Sequence, residues 1–127
     1  RMITRNDLED MGYYDMFDND LKTTTLKGYS AWVEDKMVTE GKTRLIENTL
    51  GLVGEAGEVA EKVKKLLRDD TKLDEVEVLK ELGDVLFYIT GLANYFGGDL
   101  NFIMELNVKK LDDRQHRGKI KGSGDNR

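Results

Sequence analysis

Two long stretches of this chain, 44–68 and 72–96, repeat their apolar residues at spacings of three and four, and no proline interrupts either one. That is the period of an α-helix with one apolar face. In the first stretch Leu52, Ala56, Val59, Ala60, Val63, Leu66 and Leu67 fall within one arc, and Glu55, Glu58 and Lys62 form a stripe along its edge. In the second, Leu79, Leu82, Leu86, Ile89, Ala93 and Phe96 are expected in the core, while Glu77, Glu81, Asp84, Tyr88 and Tyr95 line the polar edge. Two helices of about 24 residues would each run about 36 Å. The chain is therefore predicted to be all-α, an antiparallel helical bundle with short connections.

The breaks between helices carry their own signals. Leu26, Tyr29, Trp32, Val33 and Met37 predict a first helix over 24–39; Glu40, Gly41 and Lys42 break it, and Thr43 can cap the next. Arg68, Asp69 and Asp70 end the second helix, Thr71 with Asp74 offers a capping box for the third, and Gly97 with Gly98 stops that helix near Phe96. Asp99 can cap a fourth helix reaching Arg117, with Ile103, Met104, Val108 and Leu111 toward the core. Residues 3–24 have no clean period and predict a loop or short helix.

The expected organisation is an N-terminal segment over 1–23, one domain of four main helices over 24–117, and a glycine-rich basic tail over 118–127. The apolar arcs are broader than such a chain covers by itself, so the bundle is expected to be completed by oligomerisation, as a homodimer or homotetramer. Gly51, Gly54 and Gly57 sharpen the point, because each costs about 1 kcal/mol relative to alanine inside a helix. Close approach of a neighbouring helix or a ligand is the compensation to look for.

With 127 residues, no cysteine and one histidine, His116, the chain reads as one domain without a disulfide framework, a thiolate zinc site or a histidine-rich metal centre. No run of roughly 18 apolar residues suggests a membrane span, and no signal-peptide pattern opens the sequence. The expectation is a cytoplasmic protein with no membrane partner. The net charge of −5 is uneven: residues 109–127 hold seven Lys or Arg against three Asp, leaving the first 108 at −9. An acidic body disfavours a nucleic-acid partner, which asks for a basic face, and no repeated basic-aromatic pattern appears. A small polyanion held through a metal suits the balance better.

The acids on the two helix edges come in pairs. Glu55 and Glu58, and Glu81 and Asp84, are each three residues apart, and 22 residues separate Glu58 from Glu81, enough to end a helix, turn and return alongside. An antiparallel hairpin would then oppose four carboxylates. Taken singly, such acids are usually solvated; opposed in a cleft, they raise one another's pKa unless a cation offsets the repulsion. Four oxygen ligands without histidine or cysteine suit a hard ion, magnesium first and manganese as a substitute. A di-iron bundle would want Glu-x-x-His ligands, which are absent. On the fourth helix Asn107, Lys110 and Arg114 share a stripe; its two cations could neutralise phosphate charge, or merely oppose the helix dipole.

The order Glu55-Ala-Gly-Glu58, Glu81-Leu-Gly-Asp84, then Asn107-Val-Lys-Lys110-Leu-Asp-Asp-Arg114 resembles the all-α nucleoside triphosphate pyrophosphohydrolase superfamily, in particular its MazG-like branch of bacteria and phages. The likeness covers 44–127, including the closing GSGDNR, and is weaker before residue 44. It implies that 24–117 is a catalytic domain and that Glu55, Glu58, Glu81 and Asp84 hold magnesium. A nucleoside triphosphate, expected to be a deoxynucleotide, would be split to the monophosphate and pyrophosphate by water attack on the α-phosphorus. Asn107, Lys110 and Arg114 would bind the substrate phosphates. Lys62 is a weaker candidate whose plainer role is an ion pair with Glu58.

The resemblance also implies that Trp32 stacks on or walls off the base, against the plainer role of a core tryptophan. Tyr88 would face base or sugar, against the plainer role of an interface side chain. A dUTPase-like or phosphoribosyl-ATP pyrophosphohydrolase activity would use similar acids, and a non-catalytic nucleotide-binding module is the alternative from another class. The location implied is the cytoplasm of a bacterium or of a phage-infected host. The tail is expected to pack on the body or a neighbouring subunit near the nucleotide site.

Overall fold

The structure is a computed structural model and describes residues 4–10, 23–68 and 74–118. Among these the chain is all-α, with a short helix α1 (Arg5–Asp10) followed by α2 (Leu26–Lys36), α3 (Gly41–Arg68), α4 (Glu75–Tyr95) and α5 (Leu100–His116). The four long helices are the four that the periodicity predicts. Much of the N-terminal segment, Asp69 to Thr71 and the tail after Gly118 fall outside the described residues.

Each long helix has a legible start. Thr25 accepts from the Gly28 amide at 3.0 Å, Asp74 from Glu77 at 3.2 Å and Asp99 from Phe102 at 2.7 Å. Each such cap contributes about 1 kcal/mol. α3 departs from expectation. It opens at Gly41, not after a Thr43 cap, because Gly41 takes φ +58, a turn denied to most residues, and the Glu40 carbonyl accepts from Arg44 at 3.3 Å. α4 stops where the glycines predict. Gly97, at φ +80, donates to Asn94 and Gly98 donates to Ala93, a pairing that satisfies the last carbonyls and turns the chain straight into α5.

α3 and α4 form an antiparallel hairpin with the most extensive contact in the bundle; α2 crosses α4 and α5, and α5 also rests on α4. The buried centre lies where α2 meets those two helices, at Val33, Thr90, Ala93 and Leu100, with Asn94 donating to the Ser30 carbonyl at 2.9 Å. Among the described residues α5 stands off α3. An open apolar groove of about 350 Å³ remains there, between Leu52, Ile89, Phe96, Phe102 and Leu106.

The apolar arcs are not buried as expected within one chain. Val63, Leu66, Leu79, Leu82, Leu86, Met104, Val108 and Leu111 all remain exposed, and Phe96 and Leu67 reach 72% and 88%. The reason lies in how the hairpin pairs: α3 meets α4 through its edge stripe of small and polar residues, which leaves much of both apolar arcs uncovered.

Candidate functional site

That edge stripe reads as a zipper. From the start of α3, Arg44 donates to the Gly91 carbonyl at 3.1 Å and lies over the Tyr95 ring at 5.9 Å. Next, a Cβ on Gly91 would come within 3.0 Å of the Asn48 amide nitrogen and 2.6 Å of the Met37 methyl. One turn on, Tyr88 covers Gly51 so closely that a Cβ there would sit 2.5 Å from Cζ of the ring. Glycine at both positions permits the close approach, and the close approach fixes the register. Of the three α3 glycines, Gly51 has its compensation inside the chain, while Gly54 and Gly57 face open space.

The same register brings the acids together. One turn beyond Gly51, Glu55 faces Glu81 and Asp84, with carboxylate oxygens of all three within 4.8 Å of one another. Glu55 and Glu81 are half-buried and Asp84 is exposed. Loss of solvent, then the charges of Asp84, Glu81 and Glu58, hold the Glu55 carboxyl above its usual range. A site that raises its own proton affinity this way has the electrostatics of a cation site. Its all-oxygen donors fit a hard divalent ion and fit zinc or copper poorly.

Glu58, on the next turn, is exposed and stands outside the group of three, although its charge reaches Glu55. Lys62 is half-buried, and no ion pair ties it to Glu58 among the described residues.

An aromatic row leads from α2 to this cluster. Trp32 stacks on Tyr29 with centroids 5.7 Å apart, meets Phe87 edge-on at 6.0 Å, and Phe87 meets Tyr88 edge-on at 5.4 Å. Trp32 is 40% exposed, so it is not the core tryptophan of the plainer reading. Lys36 lies 5.5 Å from its ring centre. Tyr29 sits near enough to the acids that burial and then the Asp84 charge raise its phenol's pKa.

The α5 stripe runs from solvent inward. Asn107 is exposed, Lys110 half-buried and Arg114 buried at 3% exposure. α5 contacts α4, which carries Glu81 and Asp84, but not α3 among the described residues.

Three residues at or beside the site escaped sequence reasoning. Tyr29 and Lys36 share one face of α2 with Trp32 at spacings of three and four, a signal present but uninformative without the partner helix. Arg44 belongs to no motif or periodic stripe that marks it in the sequence. It is nearly buried and bridges Glu34 at 2.6 and 2.7 Å, tying α2 to the hairpin that holds the acids.

Comparisons with known proteins meet this geometry. The MazG nucleotide pyrophosphohydrolase domain matches residues 44–118, which run through the hairpin, its three acids and α5. The Gene 37 protein of Mycobacterium phage L5 is 49% identical over 83 residues, covering 62% of this chain and 73% of that protein. No solved structure matches. With the family match covering more than half of its length and the acidic hairpin inside it, the chain belongs to the MazG nucleotide pyrophosphohydrolase family.

Proposed function

We propose that this protein is a magnesium-dependent nucleoside triphosphate pyrophosphohydrolase that converts a deoxynucleoside triphosphate and water to the monophosphate and pyrophosphate. The convergence of Glu55, Glu81 and Asp84 carries the reading. Bound magnesium, or manganese in its place, would neutralise the triphosphate and polarise the bond that breaks. Glu55, Glu81 and Asp84 would hold the ion, with Glu58, one turn on, as a further ligand. The attacking water loses its proton within this carboxylate cluster.

On the leaving side, Lys110, Arg114 and Asn107 hold the pyrophosphate as charge builds on it, with Lys62 in a lesser part. The exposed Trp32 supplies an apolar platform for the base, and Tyr88, fixed over Gly51, borders base or sugar. The working unit is a homodimer or homotetramer, supported by the apolar surface that one chain leaves open.

The deciding assay is a panel of canonical and modified nucleoside triphosphates with magnesium, separating pyrophosphate from orthophosphate. Release of pyrophosphate, abolished by Asp84→Asn, supports the reading. Preference for dUTP alone or for phosphoribosyl-ATP would move the protein to another branch of the superfamily. Magnesium-dependent nucleotide binding without hydrolysis would make it a sensing module.

A further inference from the structure

Trp32 has a neighbour on each side along α2. Tyr29, three residues before it, stacks on the indole with ring planes 26° apart and centroids 5.7 Å apart. Lys36, four residues after it, holds its ammonium 5.5 Å from the indole centre. Side chains at these spacings lie one turn to either side of a helical residue, so the phenol and the ammonium take opposite faces of one ring. Phe87 meets the same ring edge-on at 6.0 Å. Neither face of the indole is bare, although the residue is 40% exposed.

The two covers are unequal. Tyr29 is half-buried and its ring is rigid, whereas Lys36 is exposed and its ammonium rides on a flexible four-carbon stem. An exposed cation over a ring is worth about two- to fivefold in an equilibrium constant, and a base stacked on an aromatic ring about five- to a hundredfold. An arriving base therefore displaces the ammonium and leaves the phenol in place.

Displaced, the ammonium swings to the rim of the base that replaces it. The edge it meets follows from direction. Tyr29 lies on the side of Trp32 toward the acids, close enough to sense the Asp84 charge, and Lys36 lies on the far side. A nucleotide whose phosphates sit at Glu55, Glu81 and Asp84 turns its glycosidic bond toward them, so the opposite edge of its base faces Lys36. That edge carries a keto oxygen in guanine, thymine and uracil, and an amino group in adenine and cytosine. An ammonium has three donors and no acceptor, so it bonds the keto oxygen and opposes the amino group.

We propose that Lys36 is a specificity-determining residue: it covers the Trp32 platform until a base displaces it, then selects nucleoside triphosphates with a keto base over those with an amino base. The inference rests on the reading of Trp32 as the base platform and adds the class of substrate to it.

Trp32 is the chain's single tryptophan, so its fluorescence follows the platform separately from catalysis. The full-length protein, titrated in magnesium with the non-hydrolysable α,β-imido analogues of dGTP, dTTP, dATP and dCTP, should show quenching with Kd about tenfold lower for the keto pair. That is the scale of one hydrogen bond from a charged group. Lys36→Met keeps the bulk of the stem and removes the charge; it should bring all four Kd values within about twofold of one another. Lys36→Arg should retain the keto preference, and kcat/KM on the natural nucleotides should follow the same order. A lysine with only a structural role would move all four bases alike.

Equal or reversed Kd values for keto and amino bases in wild type overturn the proposal, as does a keto preference that survives in Lys36→Met; the platform and the hydrolase reading stand in both cases. No quenching by any analogue, with pyrophosphate still released from the natural nucleotides, overturns the proposal and the platform together and leaves the hydrolase reading. Absence of both quenching and release removes all three.

Discussion

Tyr88 lies across Gly51, its ring filling the space that any larger residue at 51 would occupy. The contact joins α3 to α4 one turn from Glu55, so a change at 51 is felt in both packing and the site. Alanine there would gain about 1 kcal/mol of helix propensity, but displacing a rigid ring in a fixed register costs about 1–3 kcal/mol. Gly51→Ala is therefore expected to lower stability by about 1 kcal/mol and to raise KM. Gly83→Ala faces open space and should instead raise stability by about 1 kcal/mol. Urea melts of both variants check the opposed signs.

The Glu34–Arg44 bridge sets an acid limb of stability. Arg44's hydrogen bonds hold the Glu34 carboxyl below its usual 4.5. The folded state thus binds this proton less tightly than the unfolded one, so the contribution is full above the unfolded value and is lost as pH falls through the depressed one. Glu34 is half-exposed, which limits the effect to about 1 kcal/mol. Melting temperature from about pH 5 to pH 3 should fall more steeply for wild type than for Glu34→Gln. Parallel curves would rule the bridge out as the cause.

Glu55 has the opposite sign. Its carboxyl is raised, so its proton-linked stabilisation is full below the unfolded 4.5 and is lost as pH rises through the raised folded value. At neutral pH without metal the cluster repels itself. Glu55→Gln should melt higher than wild type in chelator, gain less on adding magnesium, and lose about 100-fold or more in turnover. A variant with lower chelator-state stability and wild-type turnover would contradict the role given to this cluster.

Removal of the aromatic platform tests the base side of the site. Trp32→Ala is expected to raise KM about 10- to 100-fold, the scale of losing one base–aromatic stack, with kcat changed much less. Substitution to phenylalanine should recover part of the loss. Steady-state kinetics on the preferred triphosphate measure both, and an unchanged KM would move the base elsewhere.

The α4–α5 turn and the acidic pairs needed no tertiary information. Gly97 and Gly98 followed by Asp99 encode a stop and a cap through local backbone chemistry, and three-residue spacing alone puts Glu81 and Asp84 on one helix face. Local rules of this kind act within one turn, so they survive without knowledge of neighbours. Even so, the α3 start was misplaced at Thr43, since the sequence does not state that Gly41 adopts a positive φ.

What folding alone decided was which face of α3 meets α4. Apolar periodicity nominated the arcs of Val63 and Leu66 on α3 and of Leu79 and Leu82 on α4, yet the hairpin closes along the edge that carries the acid pairs, through Arg44, Asn48, Gly51 and Glu55. Hydrophobic pattern tells which residues avoid water without naming what covers them, and α3 has more apolar surface than the other described residues cover. The pairing face is settled by closest approach: two glycines let the helices touch, and a guanidinium reaches a backbone carbonyl on the other helix. From that contact follows which acids meet, Glu55 with Glu81 and Asp84, and which waits a turn away, Glu58.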